Sequence, residues 1–305
     1  MEKIIDPISK EIIKAELNKD RLIRVTRKGD NEIYIVNKDN SPNVILEVGR
    51  LREVTFRASG GGTGFSVDLD EFDSGPYSYE QLIVWSPEDE EIVGGYRFAM
   101  CNKAIDKKTN EIHLSTAHYF DFSDQFVKNY LPYTIELGRS WVQPKFQPSV
   151  NPRKGLFALD NIWDGLGALV VFNPEIKYFF GKVTMYPSFD RGSRDFLLHF
   201  LHHYFPDTEN LMKPYNPLVQ DYNPEYIESQ LKDLDFRDGF KVLNSALKEN
   251  GEFIPPLVNI YMNLSPTMKI FGTAVNAEFG NVEETAILVT IEDVYPEKKE
   301  RFVAF

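Results

Sequence analysis

The stretch EQLIVWSPEDEEIVGGYRFAM, residues 80–100, constrains the fold more than any other segment of this chain. Two runs rich in β-branched and aromatic residues flank Pro87-Glu88-Asp89-Glu90, and the pair reads as two strands joined by an acidic turn. Comparable patterns surround it. Ile8, Ile12, Ile13 and Leu17 follow Pro7 at helical spacing. RLIRVTR and EIYIVN read as short strands joined by Lys28-Gly29-Asp30-Asn31. Residues 43–57 carry Val44, Ile45, Val48, Leu51, Val54 and Phe56 on a helical pattern. TIELGRSWV, KYFFGKVTM, MKIFGTAV and ETAILVTIEDV read as further strands, and Leu156–Leu169 and SRDFLLHFLHHYF as helices. A polar connection rich in Pro and Tyr, residues 206–226, leads into a charged helix. There is no internal repeat and no sharp linker. Strands alternating with helices predict an α/β fold with a mixed central sheet flanked by helices. The expectation is one domain over residues 1–305, with 206–250 as a helical insertion.

Composition narrows the function classes. Of 305 residues, 42% are hydrophobic and 26% charged, the range of a soluble chain with a sizeable core. The formal net charge of -12 offers no basic field to exchange for the counterions of a nucleic acid, so no nucleic-acid partner is expected. The single cysteine, Cys101, excludes an internal disulfide and a cysteine-only metal cage, and suits a reducing cytoplasm. The N-terminus is charged throughout and shows no apolar leader segment. The longest apolar run, Leu166–Phe172, falls far short of the roughly 20 residues of a membrane helix. A cytoplasmic protein is expected, at most peripheral to the inner membrane.

Gly60-Gly61-Gly62-Thr63-Gly64 resembles a phosphate cradle at first sight. Such a loop follows a strand and opens a helix, with G-x-x-x-x-G-K-[ST] or patterned glycines. This run follows a helix and lacks the lysine, so it reads as a helix-terminating loop and a mobile cover. Its flanks carry more chemistry. Arg52 and Phe56 lie one turn apart on a helix. Asp70 and Asp73 are three residues apart, Arg97 ends the run Ile92–Arg97, and Glu136 and Arg139 share TIELGRSWV. On a regular strand Glu136 and Arg139 face opposite sides, unless a bulge at Gly138 intervenes.

Arg52…Phe56, Asp70 and Asp73, Val93-Gly94-Gly95-Tyr96-Arg97 and Glu136…Arg139, in this order, resemble the pattern of acyl-homoserine-lactone synthases and of N-acyltransferases of ornithine-lipid or glycine-lipid type, both of the GNAT superfamily. The second group is the more similar, through ELGRSWV, IVGGYRF, IWDGLGAL, YFFGKVTM and the closing PPLVNIYMNLSPTMKIFGTAVNAEF. The chain departs from the lactone synthases at Gly62, where they carry tryptophan, and has Asn276 where an aspartate is usual. The resemblance implies N-acylation of an amino acid, glycine or ornithine, by a (3-hydroxy)acyl thioester of acyl carrier protein or coenzyme A, as a step toward an aminolipid. An acyl-homoserine-lactone or related signal synthase is the alternative within the enzymes, and a non-catalytic acyl-chain or carrier-protein module the alternative outside them.

That chemistry needs a base to deprotonate the amine, and Glu136 is the candidate, with Arg139 beside it. A thioester oxygen gaining charge needs a preorganised donor, in this superfamily a strand backbone N–H. Arg52, Phe56, Asp70, Asp73 and Arg97 are the candidate substrate-binding residues; the arginine forks suit carboxylates, whether of the substrate or of the aspartates. Arg153, Lys154 and Gly155, between a strand and a helix, are the candidate donor site for the phosphopantetheine phosphate. Arg153, Lys154, Lys182, Arg191 and Arg194 are the basic residues expected to meet an acidic carrier protein. No bound cofactor is expected beyond that acyl-phosphopantetheine donor. Phe179, Phe180, Trp163, Phe196 and Phe200 could line an acyl tunnel, although aromatics at such spacing commonly form plain core. His199 and His203 share a helix face at i, i+4, a zinc-compatible spacing, but lack the H-E-x-x-H glutamate, and no metal is expected. No G-x-S-x-G elbow supports a serine hydrolase.

Overall fold

A computed structural model describes residues Met1–Phe302. In chain order the elements are α1 (Lys10–Glu16), β1 (Leu22–Val25), β2 (Glu32–Val36), α2 (Pro42–Ala58), α3 (Glu71–Ser74), β3 (Glu80–Ser86), β4 (Glu91–Met100), β5 (Phe120–Phe122), α4 (Asp124–Asn129), β6 (Thr134–Val142), α5 (Pro152–Gly155), α6 (Ala158–Phe172), β7 (Tyr178–Met185), α7 (Arg191–Tyr204), β8 (Met212–Pro214), α8 (Pro224–Leu231), α9 (Phe236–Glu249), α10 (Pro256–Met262), β9 (Lys269–Asn276), β10 (Val282–Thr290) and α11 (Pro296–Phe302). They form two compact units: Met1–Ser115 with Pro132–Lys177 and the segment from Pro296, and Thr116–Leu131 with Tyr178–Tyr295.

The first unit is built on antiparallel strands in the order β1-β2-β3-β4-β6. The predicted ribbon forms as β3 and β4, and Glu90 in its turn takes a left-handed φ of 54°. α2 packs Val44, Ile45, Val48, Leu51 and Phe56 inward, all buried. α6 lies against β1–β4, and Gly165 lets it approach closely: a Cβ there would stand 2.6 Å from the Leu82 side chain. By length and composition alone, Pro152–Phe172 is long and apolar enough to cross a membrane. Ile162, Trp163, Leu166, Ala168 and Leu169 are nonetheless buried in the core of the unit.

The second unit sets β7, β10 and β9 side by side, antiparallel, with the short pair β5–β8. Phe180 packs against Phe126 and Phe271 at ring distances of 5.5 and 6.4 Å. Phe200 packs against Tyr204 and Phe236. Phe179 and Phe196 are buried too. These rings, like Trp163 in the first unit, fill core. Each unit thus has the α/β character that the strand–helix alternation predicted.

The glycine run departs from its reading as a free cover. Gly60, Gly62 and Gly64 have φ of 87°, 93° and 79°, conformations in which a Cβ is strained. The fully buried Glu53 carboxylate then ties the run to α2. It accepts from the Thr63 N–H and hydroxyl at 3.0 and 2.8 Å and from the Gly64 N–H at 2.8 Å. Arg57 bonds the same carboxylate and reaches the Phe65 carbonyl at 2.5 Å. Helix termination was read correctly; the loop is an anchored turn, because an acid seven residues before it supplies acceptors for its N–H groups.

Candidate active site

Three arginines and three aspartates meet inside the first unit. Arg52, from the middle of α2, donates through Nε to Asp68 Oδ2 at 2.9 Å, and through Nη1 and Nη2 to the two oxygens of Asp73 at 2.8 and 3.1 Å. Arg97 on β4 donates through Nη1 to Asp70 Oδ1 at 2.7 Å and to Asp73 Oδ2 at 3.2 Å. Arg139 on β6 donates through Nε to Asp68 Oδ2 at 3.0 Å and brings Nη2 to 3.7 Å from Asp70. Gln81 on β3 adds a bond to Asp73 Oδ1 at 2.8 Å.

Local structure aims the aspartates. Asp70 is the N-cap of α3, accepting from the Phe72 N–H, while Asp73 reaches back to the Asp70 N–H. This reciprocal cap holds both carboxylates at one helix end. Asp68 belongs to the extended Asp68-Leu69-Asp70 segment, and its N–H bonds the Gly49 carbonyl of α2. Burial alone would raise the Asp68 carboxyl; Arg139 and Arg52 outweigh that and hold it below its ordinary range. Asp70 is drawn down to about 2, burial again opposing and Arg97 prevailing. Burial would likewise lower the arginines, but Asp68 and Asp73 raise Arg52, and Asp73 and Asp70 raise Arg97.

Exposure separates the members. The side chains of Arg52, Asp68 and Asp73 are wholly buried and Arg97 is nearly so, whereas Asp70 and Arg139 retain 32% and 14% exposure. Phe56 is buried on α2. Arg52 and Arg97 therefore converge on Asp73, the Arg97 Nε remaining buried without a hydrogen-bond partner among the described residues, and Asp70 and Arg139 form the cluster's outer edge.

β6 carries the irregularity that unites the site. Its register against β4 steps from Gly95–Trp141 to Arg97–Gly138, so three residues of β6 span two of β4. Arg139 within this bulge takes φ 48°, a left-handed conformation uncommon for a non-glycine residue. The bulge anticipated at Gly138 is thus present, and it lets Arg139 reach the aspartates although Glu136 lies three residues before it. Glu136 is buried, and its Oε2 accepts a hydrogen bond from the Tyr79 hydroxyl. The Tyr79 oxygen accepts from the Ser115 N–H at 2.9 Å. The Arg97 guanidinium lies 5.4 Å from the Tyr79 ring centre and 5.5 Å from that of Phe72. One connected set of side chains therefore runs from Glu136 through Tyr79 and Arg97 to the aspartates.

Asp68, Gln81 and Tyr79 are members that sequence reasoning did not single out. Asp-x-Asp on an extended stretch was a usable signal for Asp68; nothing marks Tyr79 among 15 tyrosines.

The candidate donor segment lies between β6 and α6, as expected. Asn151 caps α5 through the Lys154 N–H, and Gly155 presses on the chain at Gln147 and Pro148, where a Cβ would stand 2.4 Å from the Pro148 nitrogen. Of the five basic residues expected to meet a carrier protein, three are paired with acids within their own units. Lys154 Nζ bonds both oxygens of Asp89 at 2.6 and 2.7 Å. Lys182 pairs with Glu284 at 3.1 Å, and Arg194 with Glu283 and Asp195 at 2.5 and 2.8 Å. Arg153 and Arg191 are the two that stand exposed. His199 and His203 both bond Glu228 Oε2, at 3.0 and 3.1 Å. Among the described residues no group of three or more His, Cys, Asp or Glu is arranged to hold a metal ion.

The family model of the acetyltransferase (GNAT) domain matches residues 51–153, the span that holds every member of the connected set. A glycine N(alpha)-acyltransferase of Bacteroides thetaiotaomicron is 52% identical over 303 residues, 99% of this chain and 90% of that protein. A protein of the same name from Phocaeicola vulgatus is 50% identical over 303 residues, 99% of this chain and 93% of the other. No solved structure matches the chain. Related to both along nearly its whole length, the chain is an acyltransferase of the GNAT superfamily and belongs to the family of these glycine N(alpha)-acyltransferases.

Proposed function

We propose that this protein transfers a fatty acyl group from the phosphopantetheine thioester of acyl carrier protein to the α-amine of glycine, giving an N-acyl glycine on the way to an aminolipid. The name borne by relatives at about half identity supports glycine over ornithine. The observation that carries the reading is the bulge in β6, which brings Glu136 and Arg139 onto one connected network. Glycine arrives as an ammonium and must lose a proton before its nitrogen can attack the thioester carbonyl. Glu136 is the base that takes it. The amine nitrogen then bonds to the carbonyl carbon and gives up a second proton, the carbon–sulfur bond breaks with its electron pair going to sulfur, and the sulfur takes up a proton and leaves as the phosphopantetheine thiol. A backbone N–H at the bulge is the donor assigned to the oxygen that gains charge.

Asp70 and Arg139, the half-buried outer edge of the cluster, are suited to the two charges of glycine: the carboxylate for the ammonium and the guanidinium for the carboxylate. Arg52, Asp73 and Arg97 hold that edge in place from within. The test is Glu136→Gln, which keeps the shape and removes the base. N-acyl glycine formed from glycine and acyl carrier protein thioester, measured by mass spectrometry, should fall by about 100-fold or more. Near-normal turnover at saturating glycine would remove Glu136 from this role, and preferential acylation of ornithine would remove glycine as the substrate.

A further inference from the structure

Tyr79 is buried to 2% exposure, yet its hydroxyl is fully engaged. Its oxygen accepts from the Ser115 N–H at 2.9 Å, so the single phenolic hydrogen is committed to Glu136 Oε2. The ring is fixed independently. It meets Phe72 edge-on at 5.3 Å and the Arg97 guanidinium lies over its face, while the Tyr79 backbone N–H donates to the Phe72 carbonyl at 2.7 Å. A phenol held on three sides is a stronger geometric constraint on a carboxylate than core packing requires.

We propose that Tyr79 is a positioning residue for the base: its hydroxyl fixes the orientation of Glu136 and stabilises the carboxylate form that accepts the amine proton. The inference rests on Glu136 acting as the base. It also assigns the arginine–aspartate cluster a task beyond binding, because Asp70 and Asp73 hold Arg97, and Arg97 holds the Tyr79 ring.

Charged and titratable groups beside this pair include Arg97 from β4, Cys101 after β4 and, through Arg97, Asp70 at the cap of α3 and Asp73 within it. Burial first, and the Glu136 charge second, push the Tyr79 hydroxyl and the Cys101 thiol well above their ordinary values. Both keep their protons near neutrality, and Arg97 keeps its charge. Tyr79 is therefore a hydrogen-bond donor throughout the working range, and a change in the acid limb of the rate profile reports on the base.

The experiment compares two replacements in the full-length enzyme, with glycine and acyl carrier protein thioester as substrates. Tyr79→Phe keeps the ring and its contact with Arg97 but removes the donor to the carboxylate. The acid limb of kcat/KM should move up by about 1 pH unit, with kcat falling roughly tenfold and KM for glycine little changed. Tyr79→3-fluorotyrosine keeps size and hydroxyl but makes a stronger donor, and should move the limb downward. Shifts in opposite directions support the inference, since a purely structural residue would give neither. An acid limb unmoved in both variants, or moved the same way, overturns it. If Tyr79→Phe does not fold, the fluorotyrosine enzyme decides alone, and an unmoved limb is again fatal. Glu136→Gln separates the two layers: an active variant overturns the base reading and this inference with it. An inactive one beside unmoved Tyr79 profiles overturns only the role of Tyr79.

Discussion

Replacing Asp73 by asparagine tests the cluster with the smallest possible change of shape. Asp73 Oδ2 accepts from Arg52 Nη2 at 3.1 Å, Arg97 Nη1 at 3.2 Å and the Asp70 N–H at 3.1 Å. Oδ1 accepts from Arg52 Nη1 and Gln81 Nε2, both at 2.8 Å. An amide must place its NH2 on one side or the other, and either choice sets a donor against donors. Flipping the side chain offers no relief. The substitution also leaves three guanidiniums facing two carboxylates where Arg52 is wholly buried. Breaking a buried, hydrogen-bonded ion pair by removing one partner costs about 3–5 kcal/mol, chiefly because the remaining charge is stranded. At about 2.1 cal/mol/K of unfolding entropy per residue, a chain of 305 residues loses roughly 1.6 °C per kcal/mol, and the unfolding midpoint should fall by about 5–8 °C. Urea unfolding at pH 7, followed by circular dichroism, gives the free energy directly. Lys14→Ala serves as the control: Lys14 pairs with Glu90 at 2.6 Å, but both side chains are about half exposed, and its loss should leave the midpoint in place. A loss below about 1 kcal/mol for Asp73→Asn would refute the claim that the cluster is a closed, mutually dependent unit.

Acid should unfold this protein through the same cluster. The Asp70 and Asp68 carboxyls lie below their ordinary range in the folded state, so their stabilisation is present above about pH 4 and is lost as pH falls toward the folded value, about 2 for Asp70. Stability measured from pH 6 to pH 2 should drop most steeply below pH 4, and Asp70→Asn should flatten that drop. On the proposed carrier-protein donor, the approach of an acidic partner to a chain of net charge -12 should depend on the exposed arginines. Arg153→Glu and Arg191→Glu should each raise KM for acyl carrier protein and weaken its salt dependence, with kcat little changed and a small thioester unaffected. Equal damage to both donors would show that the arginines serve the fold or the phosphopantetheine.

Much of the fold was legible because period and punctuation coincide. β3, β4 and β6 begin and end where EQLIVWS, EIVGGYRFAM and TIELGRSWV were read, since turn formers bound each run. β5 and β8, three residues each, are too short to display any alternation, and they exist through their pairing with one another. α10 opens on Pro256, where proline at the first helical position is the one local sign of a helix only seven residues long. At the site, the charged residues were visible but their partners were not. Lys154 meets Asp89 across 65 residues of sequence, and Arg139 meets Asp68 across 71. A basic side chain looks the same in a sequence whether it faces solvent or an aspartate. Glu53 was hidden for a similar reason: it is an acid inside a helix, and its acceptors matter only because the chain returns ten residues later.

Arg139 joins the structural and chemical halves of the site. A left-handed backbone costs a residue with a Cβ of order 1–3 kcal/mol, and glycine would occupy the position more cheaply. An arginine persists there because its guanidinium bonds Asp68 and approaches Asp70, and charge-assisted bonds of this kind outweigh strain of that size. The bulge and the ion cluster therefore sustain each other. Without the bulge, β6 would point Glu136 and Arg139 to opposite faces, and without the aspartates the arginine would have no reason to adopt that conformation. The buried arginine–aspartate pairs could be read as plain scaffold by their exposure alone. Their geometric consequence is the irregular strand on which the proposed base and the exposed guanidinium are set. The same consequence explains why the members of this site are drawn from α2, the Asp68–Asp73 segment, β4 and β6 instead of one contiguous motif.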